Sequence, residues 1–120
     1  MQEVRLGIIG VNGRGRLSRY WHKPEEGVQV VAGADNSLEE LEKFKERCNK
    51  DAFVTTNYKE MVQREELDGI VVTAPDYLHA DMVIDALEAG KFVYCEKPLA
   101  TTFEDADRMI ECSNRHPGKL

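Results

Sequence analysis

Hydrophobic residues recur along this chain in two alternating rhythms. Apolar runs rich in β-branched residues, at Val4–Ile9, Val28–Ala34, 69–74 and 91–95, predict buried strands, and residues 52–55 predict a weaker one. Between them lie segments with helical spacing. The first covers 14–23 and stops before Pro24; the second runs from 38 to about 48, with Leu38, Leu41, Phe44 and Cys48 on one face. A short one opens at Asn57, another spans 77–89 and ends at Gly90, and a last one reaches Asn114 before His116-Pro117-Gly118. Ser37-Leu38-Glu39-Glu40 and Asn57-Tyr58-Lys59-Glu60 read as capping boxes: the Ser or Asn oxygen takes an amide proton of the first turn and the Glu reaches back. Thr101 or Thr102 caps the last helix. Strands alternating with helices to the end of the chain predict an α/β fold, a doubly wound, mostly parallel sheet with helices on both faces. A six-stranded sheet of this kind has one more strand after the fifth helix, so a sheet one strand short or a truncated chain is expected.

Composition narrows the class. At 120 residues the chain is one domain, long enough to bury a core without staples. A net charge of −6 argues against a nucleic-acid or anionic-membrane surface, both of which need a basic patch. Cys48, Cys95 and Cys112 are odd in number and far apart, no C-x-x-C pair exists, and the histidines lack ligand spacing. A disulfide framework and a metal site are therefore not expected, and a reducing, cytoplasmic setting is. No basic leader and no apolar stretch of ~20 residues is seen.

The most informative loop is Gly10-Val11-Asn12-Gly13-Arg14-Gly15. In a strand–loop–helix unit of the Rossmann type, the first glycine of G-x-G-x-x-G makes the tight turn, the second admits the pyrophosphate, and the third lets helix and strand pack closely. Gly10 and Gly15 take the first and third places. Asn12 takes the second, where its tolerance of positive φ is expected to keep the loop's shape, with slack from Gly13. Arg14 and Arg16 are expected to bring cations to the phosphates. Such turns also occur without ligands, but Asp35 stands at the end of the second strand, about twenty residues on, where a carboxylate binds the adenosine ribose. A carboxylate there repels a 2′-phosphate and favours NAD over NADP; Arg14 leaves NADP as the lesser choice. Asp35 also reads as a turn or cap residue, since Asn36-Ser37 follow.

Two further motifs leave the fourth and fifth strands, Thr73-Ala74-Pro75-Asp76-Tyr77-Leu78-His79 and Cys95-Glu96-Lys97-Pro98-Leu99-Ala100. Both fall at carboxyl ends of strands, the edge where open α/β sheets bind ligands. A cis peptide at Pro98 would pin the direction of Lys97. Together "GIIGVNGRGR", "VVAGAD" and "TAPDYLHADMVIDALEAGKFVYCEKPLA" resemble the N-terminal domain of the Gfo/Idh/MocA oxidoreductases over nearly the whole chain. The resemblance implies an NAD(P)-dependent dehydrogenase acting on a sugar, polyol or similar hydroxyl compound. It implies that Lys97 hydrogen-bonds the reacting hydroxyl and aids its deprotonation, and that Glu96 faces the nicotinamide ribose. Thr73, Ala74 and Pro75 would line the cofactor's path, with His79 below that edge. It also implies a second, substrate-binding domain beyond residues 1–120, a homo-oligomeric whole protein, and little turnover from this part alone.

Plainer readings stand beside these. Lys97 also reads as a surface lysine at a strand end, and His79 as a packing residue at a helix start. Tyr20, Trp21 and His22 read as core or rim packing, Cys95 as a buried strand residue rather than a nucleophile, and the charged run from Glu39 to Arg47 as a solvated helix face. An NAD(H)-sensing domain without catalysis uses Gly10, Gly15 and Asp35 but gives Lys97 no task. A methyltransferase using S-adenosylmethionine shares the glycine loop and acidic residue but leaves the Glu96-Lys97-Pro98 element unexplained.

Overall fold

The computed structural model describes residues 3–120; Met1 and Gln2, which lead the sequence into its first apolar run, lie outside them. Strands β1 (Val4–Ile9), β2 (Val28–Ala34), β3 (Phe53–Thr55), β4 (Gly69–Val72) and β5 (Phe92–Cys95) form one sheet in the order β3-β2-β1-β4-β5. Every pairing of these strands is parallel, so the sheet is more uniform than the mostly parallel one expected. The chain builds outward from β1 to one side, then crosses back to build outward on the other. β1 is thus the point where strand order reverses.

Side-chain alternation shows why both faces must be covered. Ile8 and Val71 pack with Val30, Leu41 and Phe44 on one face, while Ile9, Ile70 and Val72 pack with Met61, Val83, Leu87 and Met109 on the other. The first face is covered by α1 (Leu38–Arg47). The second is covered by α2 (Tyr58–Val62), α3 (His79–Glu88) and α4 (Phe103–Arg115). β5 lies at the sheet's edge and only Val93 of it is buried, leaving Phe92 and Tyr94 exposed. The chain returns to that edge after α4, where the Val93 N–H donates to Lys119 O at 2.7 Å.

Five local expectations are corrected. The helix read over 14–23 is a 3₁₀ segment, Gly13–Tyr20, followed by a separate turn at Pro24–Glu26. Two glycines and a scarcity of apolar residues weaken any α-helix there. Its buried residues, Gly15 and Ser18, fall three apart, and Trp21, three further on, joins the core; that is the 3₁₀ period. At Ser37 only half of the capping box forms: Ser37 Oγ accepts from Glu40 N, but Ser37 N donates to Asp35 Oδ1 instead of to Glu40. At Asn57 the side chain accepts from Lys59 N, and Asn57 N donates to Thr55 Oγ1. Leu38 is 70% exposed, because it occupies the first turn of α1 by the open edge of the sheet, outside the Leu41–Phe44 contact. The segment 77–89 opens as a 3₁₀ turn, Asp76–Leu78, before becoming α3. Of the two candidate caps for α4, Thr102 makes the bond, to Asp105 N.

Lys91 is buried just ahead of β5, with Nζ donating to Arg64 O at 2.7 Å and Leu67 O at 2.8 Å. Its ammonium satisfies two carbonyls in the connection between α2 and β4. Removing it strands Leu67 O and leaves Arg64 O only the 3.3 Å bond from Leu67 N. Lys91→Ala is expected to cost about 2 kcal/mol, read as a lower urea midpoint with an unchanged slope.

Candidate functional site

The carboxyl ends of β1, β2, β3 and β4 surround a cleft of about 460 Å³. Ile9, Gly10, Asn12 and Gly13 enter from β1 and its loop, and Ala34, Asp35 and Asn36 from β2. Thr56 and Tyr58 follow β3, and Thr73, Ala74 and Pro75 leave β4, with Tyr77, Leu78 and Met82 behind them. Its size suits a small-molecule site, and its place is the crevice at the strand-order reversal.

The glycine loop is built by close approach. Gly10 has φ +87°, and a Cβ on it would lie 2.5 Å from Ala74 N. A Cβ on Gly15 would lie 1.9 Å from Gly10 O, so the first and third glycines are required by contact. Asn12 does not take positive φ as expected. It is extended, at φ −88°, and Gly13 carries the left-handed turn at +57°. The second-glycine task has therefore moved one residue along. Asn12 Oδ1 instead accepts from Gly13 N at 2.8 Å and Arg16 Nε at 3.0 Å.

Neighbours clamp the loop from both sides. Thr73 Oγ1 donates to Gly10 O at 2.7 Å, Arg47 donates to Val11 O at 2.6 Å, and Val11 N donates to Asp35 Oδ2 at 3.1 Å. Asp35 thus braces the loop through one oxygen and the start of α1 through the other. Each carboxylate oxygen has a second lone pair, so the brace and a diol contact are compatible. Amides at the start of the 3₁₀ segment have no partner within it. The Asp35 carboxylate beside the glycine loop, the turn of that loop and the apolar residues of the cleft fit a dinucleotide.

Tyr58 went unread in the sequence, as did Asn36, Thr56, Tyr77, Leu78 and Met82. The Tyr58 hydroxyl donates to Asp85 Oδ2 at 2.6 Å, so α3 fixes the phenol that borders the cleft. The available signal was topological: in a parallel sheet β3 ends at the same edge as β2.

The remaining predicted site residues do not line the cleft. Gly15 packs beneath the loop, and Arg14 is exposed. His79 is 1% exposed, with Nε2 2.9 Å from Ala74 O and Nδ1 3.0 Å from Pro98 O. It packs between the two motif loops, where a cofactor-binding residue was expected. Glu96 and Lys97 leave β5 beyond the β4 exit; Glu96 Oε1 accepts from Lys97 N, and Lys97 is exposed. The Lys97–Pro98 peptide is cis. Burial, then the Glu96 charge, push the Cys95 thiol up to about 11, in keeping with a non-nucleophilic strand residue. Of the aromatic patch, Trp21 packs against the α1-side core, His22 Nδ1 accepts from Val30 N, and Tyr20 stays exposed.

The model of the Gfo/Idh/MocA family, described as an oxidoreductase family with an NAD-binding Rossmann fold, matches residues 4–120. The crystal structure of myo-inositol 2-dehydrogenase from Lactobacillus plantarum superposes with a TM-score of 0.90 at 34% identity, over 99% of this chain and 35% of that one. Inositol 2-dehydrogenase of Agrobacterium fabrum is 32% identical over 98% of this chain and 35% of its own length. An alpha-N-acetylgalactosaminidase of Shewanella oneidensis is 33% identical over 96% of this chain and 27% of its own length. The chain spans about a third of the length of the curated relatives it matches.

Burial, reinforced by the Asp85 carboxylate, raises the Tyr58 phenol well above its ordinary value near pH 10. The fold favours the neutral phenol, so this contribution is complete below about pH 10 and is lost as pH rises beyond it. Wild type is expected to lose more stability than Tyr58→Phe as pH rises above about 10, measured by urea unfolding at each pH.

Proposed function

The chain belongs to the Gfo/Idh/MocA oxidoreductase family, and we propose that it is the cofactor half of an NAD-dependent dehydrogenase acting on a hydroxyl-bearing carbon of a sugar or polyol. Asp35 is the observation that carries this reading. It stands in the cleft beside the glycine loop, in reach of both β1 and β2 exits. Its carboxylate accepts from ribose hydroxyls and repels a 2′-phosphate, which selects NAD over NADP. Gly10, Asn12, Gly13 and Arg14 attend the pyrophosphate, with Gly15 holding the loop's shape from beneath. Thr73, Ala74 and Pro75 wall the path toward the nicotinamide, and Glu96 attends its ribose.

When bound, the nicotinamide accepts or returns the hydride. Hydride leaves a carbinol carbon readily only as the hydroxyl proton is lost. Lys97 hydrogen-bonds the reacting oxygen and stabilises the forming alkoxide, the catalytic role assigned to it, while the hydroxyl proton passes to a base that we place in the substrate domain. The inositol dehydrogenases among the relatives supply the polyol class. We place the substrate domain, and the contacts that make a homo-oligomer, outside these residues, because the relatives are about three times as long. Among the described residues no helix is long and apolar enough to cross a membrane, and the unpaired cysteines suit a cytoplasmic setting.

Calorimetric titration of this chain is expected to show NAD(H) binding in preference to NADP(H), weakened about tenfold or more in Asp35→Ala, as for loss of a charge-assisted hydrogen bond. Binding unaffected by Asp35→Ala sinks the ribose assignment. In the full-length protein, Lys97→Ala is expected to abolish most NAD-dependent oxidation of inositols while leaving NAD affinity within about twofold. An unchanged rate points to a cofactor sensor, and cleavage of N-acetylgalactosaminides in place of oxidation points to the hydrolase relative's chemistry.

A further inference from the structure

The last backbone bond between the β4 and β5 chains is Glu96 N to Val72 O, at 3.0 Å. Past it the two exits diverge, one toward the cleft wall at Ala74 and Pro75, the other into Glu96-Lys97-Pro98. The His79 ring stands between them. Its two nitrogens face Ala74 O at 2.9 Å and Pro98 O at 3.0 Å, one imidazole spanning both chains where the ladder has ended. His79 opens α3 and is 1% exposed, so it touches neither cofactor nor substrate. Its neighbours along the two chains belong to the site proposed above: Ala74 and Pro75 line the cleft, and Lys97 directly precedes Pro98.

We propose that His79 is a positioning residue, a strut that fixes the lysine-bearing exit of β5 at a set spacing from the cofactor wall and so aims Lys97. This rests on the reading of Lys97 given above. The ring is suited to the task. It is rigid, it carries hydrogen-bonding atoms on two sides, and the ring itself is buried between the carbonyls it meets. A neutral imidazole donates to one carbonyl and only packs its bare nitrogen against the other, whereas an imidazolium donates to both; the rigid ring fills the space between the chains in each case. An aliphatic residue fills the space but grips neither chain. The Asp35 end of the cleft is braced by Val11 N and Ser37 N, and its link to the β4 exit runs through Thr73 Oγ1 to Gly10 O, a bond that leaves out the His79 ring.

The test uses the full-length protein, NAD and myo-inositol, unlabelled and deuterated at the reacting carbon. Three proteins are compared: wild type, His79→Leu and His79→Gln, whose amide N–H can still donate to one carbonyl. Hydrogen exchange by mass spectrometry reads the geometry directly. In His79→Leu, exchange over residues 95–99 is expected to rise, with residues 10–16 unchanged. The NAD dissociation constant stays within about twofold, kcat falls about tenfold or more, and the deuterium isotope effect on kcat grows as hydride transfer becomes limiting. His79→Gln recovers part of the rate.

Unchanged exchange over 95–99 overturns the strut whatever the activity does. An unchanged kcat, or a rate that falls only with the folded fraction and leaves the isotope effect alone, overturns its catalytic role. Failure of the dehydrogenase reading looks different: wild type itself lacks turnover, or Lys97→Ala matches it. Either result overturns the aiming role too, while the exchange comparison still decides whether the strut exists.

Discussion

Two backbones that nearly touch at Gly10 organise this molecule. β1 is flanked by β2 and β4, and where it ends its loop must turn against the exit of β4. With Ala74 N 2.5 Å from where a Cβ would sit, only a residue without one permits the turn. Thr73 then closes the contact by donating to Gly10 O. That junction fixes the loop's height above the sheet, and the loop in turn fixes Asp35 through Val11 N. The cleft is therefore not a gap between finished parts. Its floor is the place where the sheet's two halves meet, and its chemistry hangs on main-chain geometry more than on any one side chain.

Much of the architecture was legible because burial writes itself into composition. The strands β1 and β2 are apolar and β-branched enough to be bounded from sequence alone, and the Gly90 stop and threonine cap carried their usual meaning. What escaped notice depended on packing across the chain. The 3₁₀ segment at Gly13–Tyr20 is dictated by which residues, three apart, fit under α1, and the failed half of the Ser37 cap by competition from Asp35 for the same N–H. The second competitor is local, and the reading of Asp35 as a turn residue ahead of Ser37 points to it.

The site divided in the same way. Gly10, Gly15 and Asp35 were readable because their tasks are local and stereochemical. Asn12 was misread: its sequence place suggested a left-handed residue, yet the spare glycine beside it absorbs the turn and frees the asparagine to cap the loop. Tyr58 was missed because its relevance arises only from strand order, and its anchor, Asp85, lies on a helix formed much later in the chain. Of the two readings of His79, the packing residue at a helix start is the one its burial fits. A histidine near a ligand edge invites thoughts of ligand contact, whereas its surroundings are two protein carbonyls.

The sheet order also governs when this protein acquires a site during synthesis. β1, β2 and β3 precede β4 and β5 in the chain, and the edge of β1 that receives β4 has no partner until β4 is made. That edge is apolar on both faces, a template for wrong partners until β4 and β5 arrive. The wall at Thr73–Pro75 follows β4, so the cleft is incomplete until that strand has joined β1. The cofactor cleft is in this sense a proof of completed assembly: it exists only in chains whose two halves have already found one another.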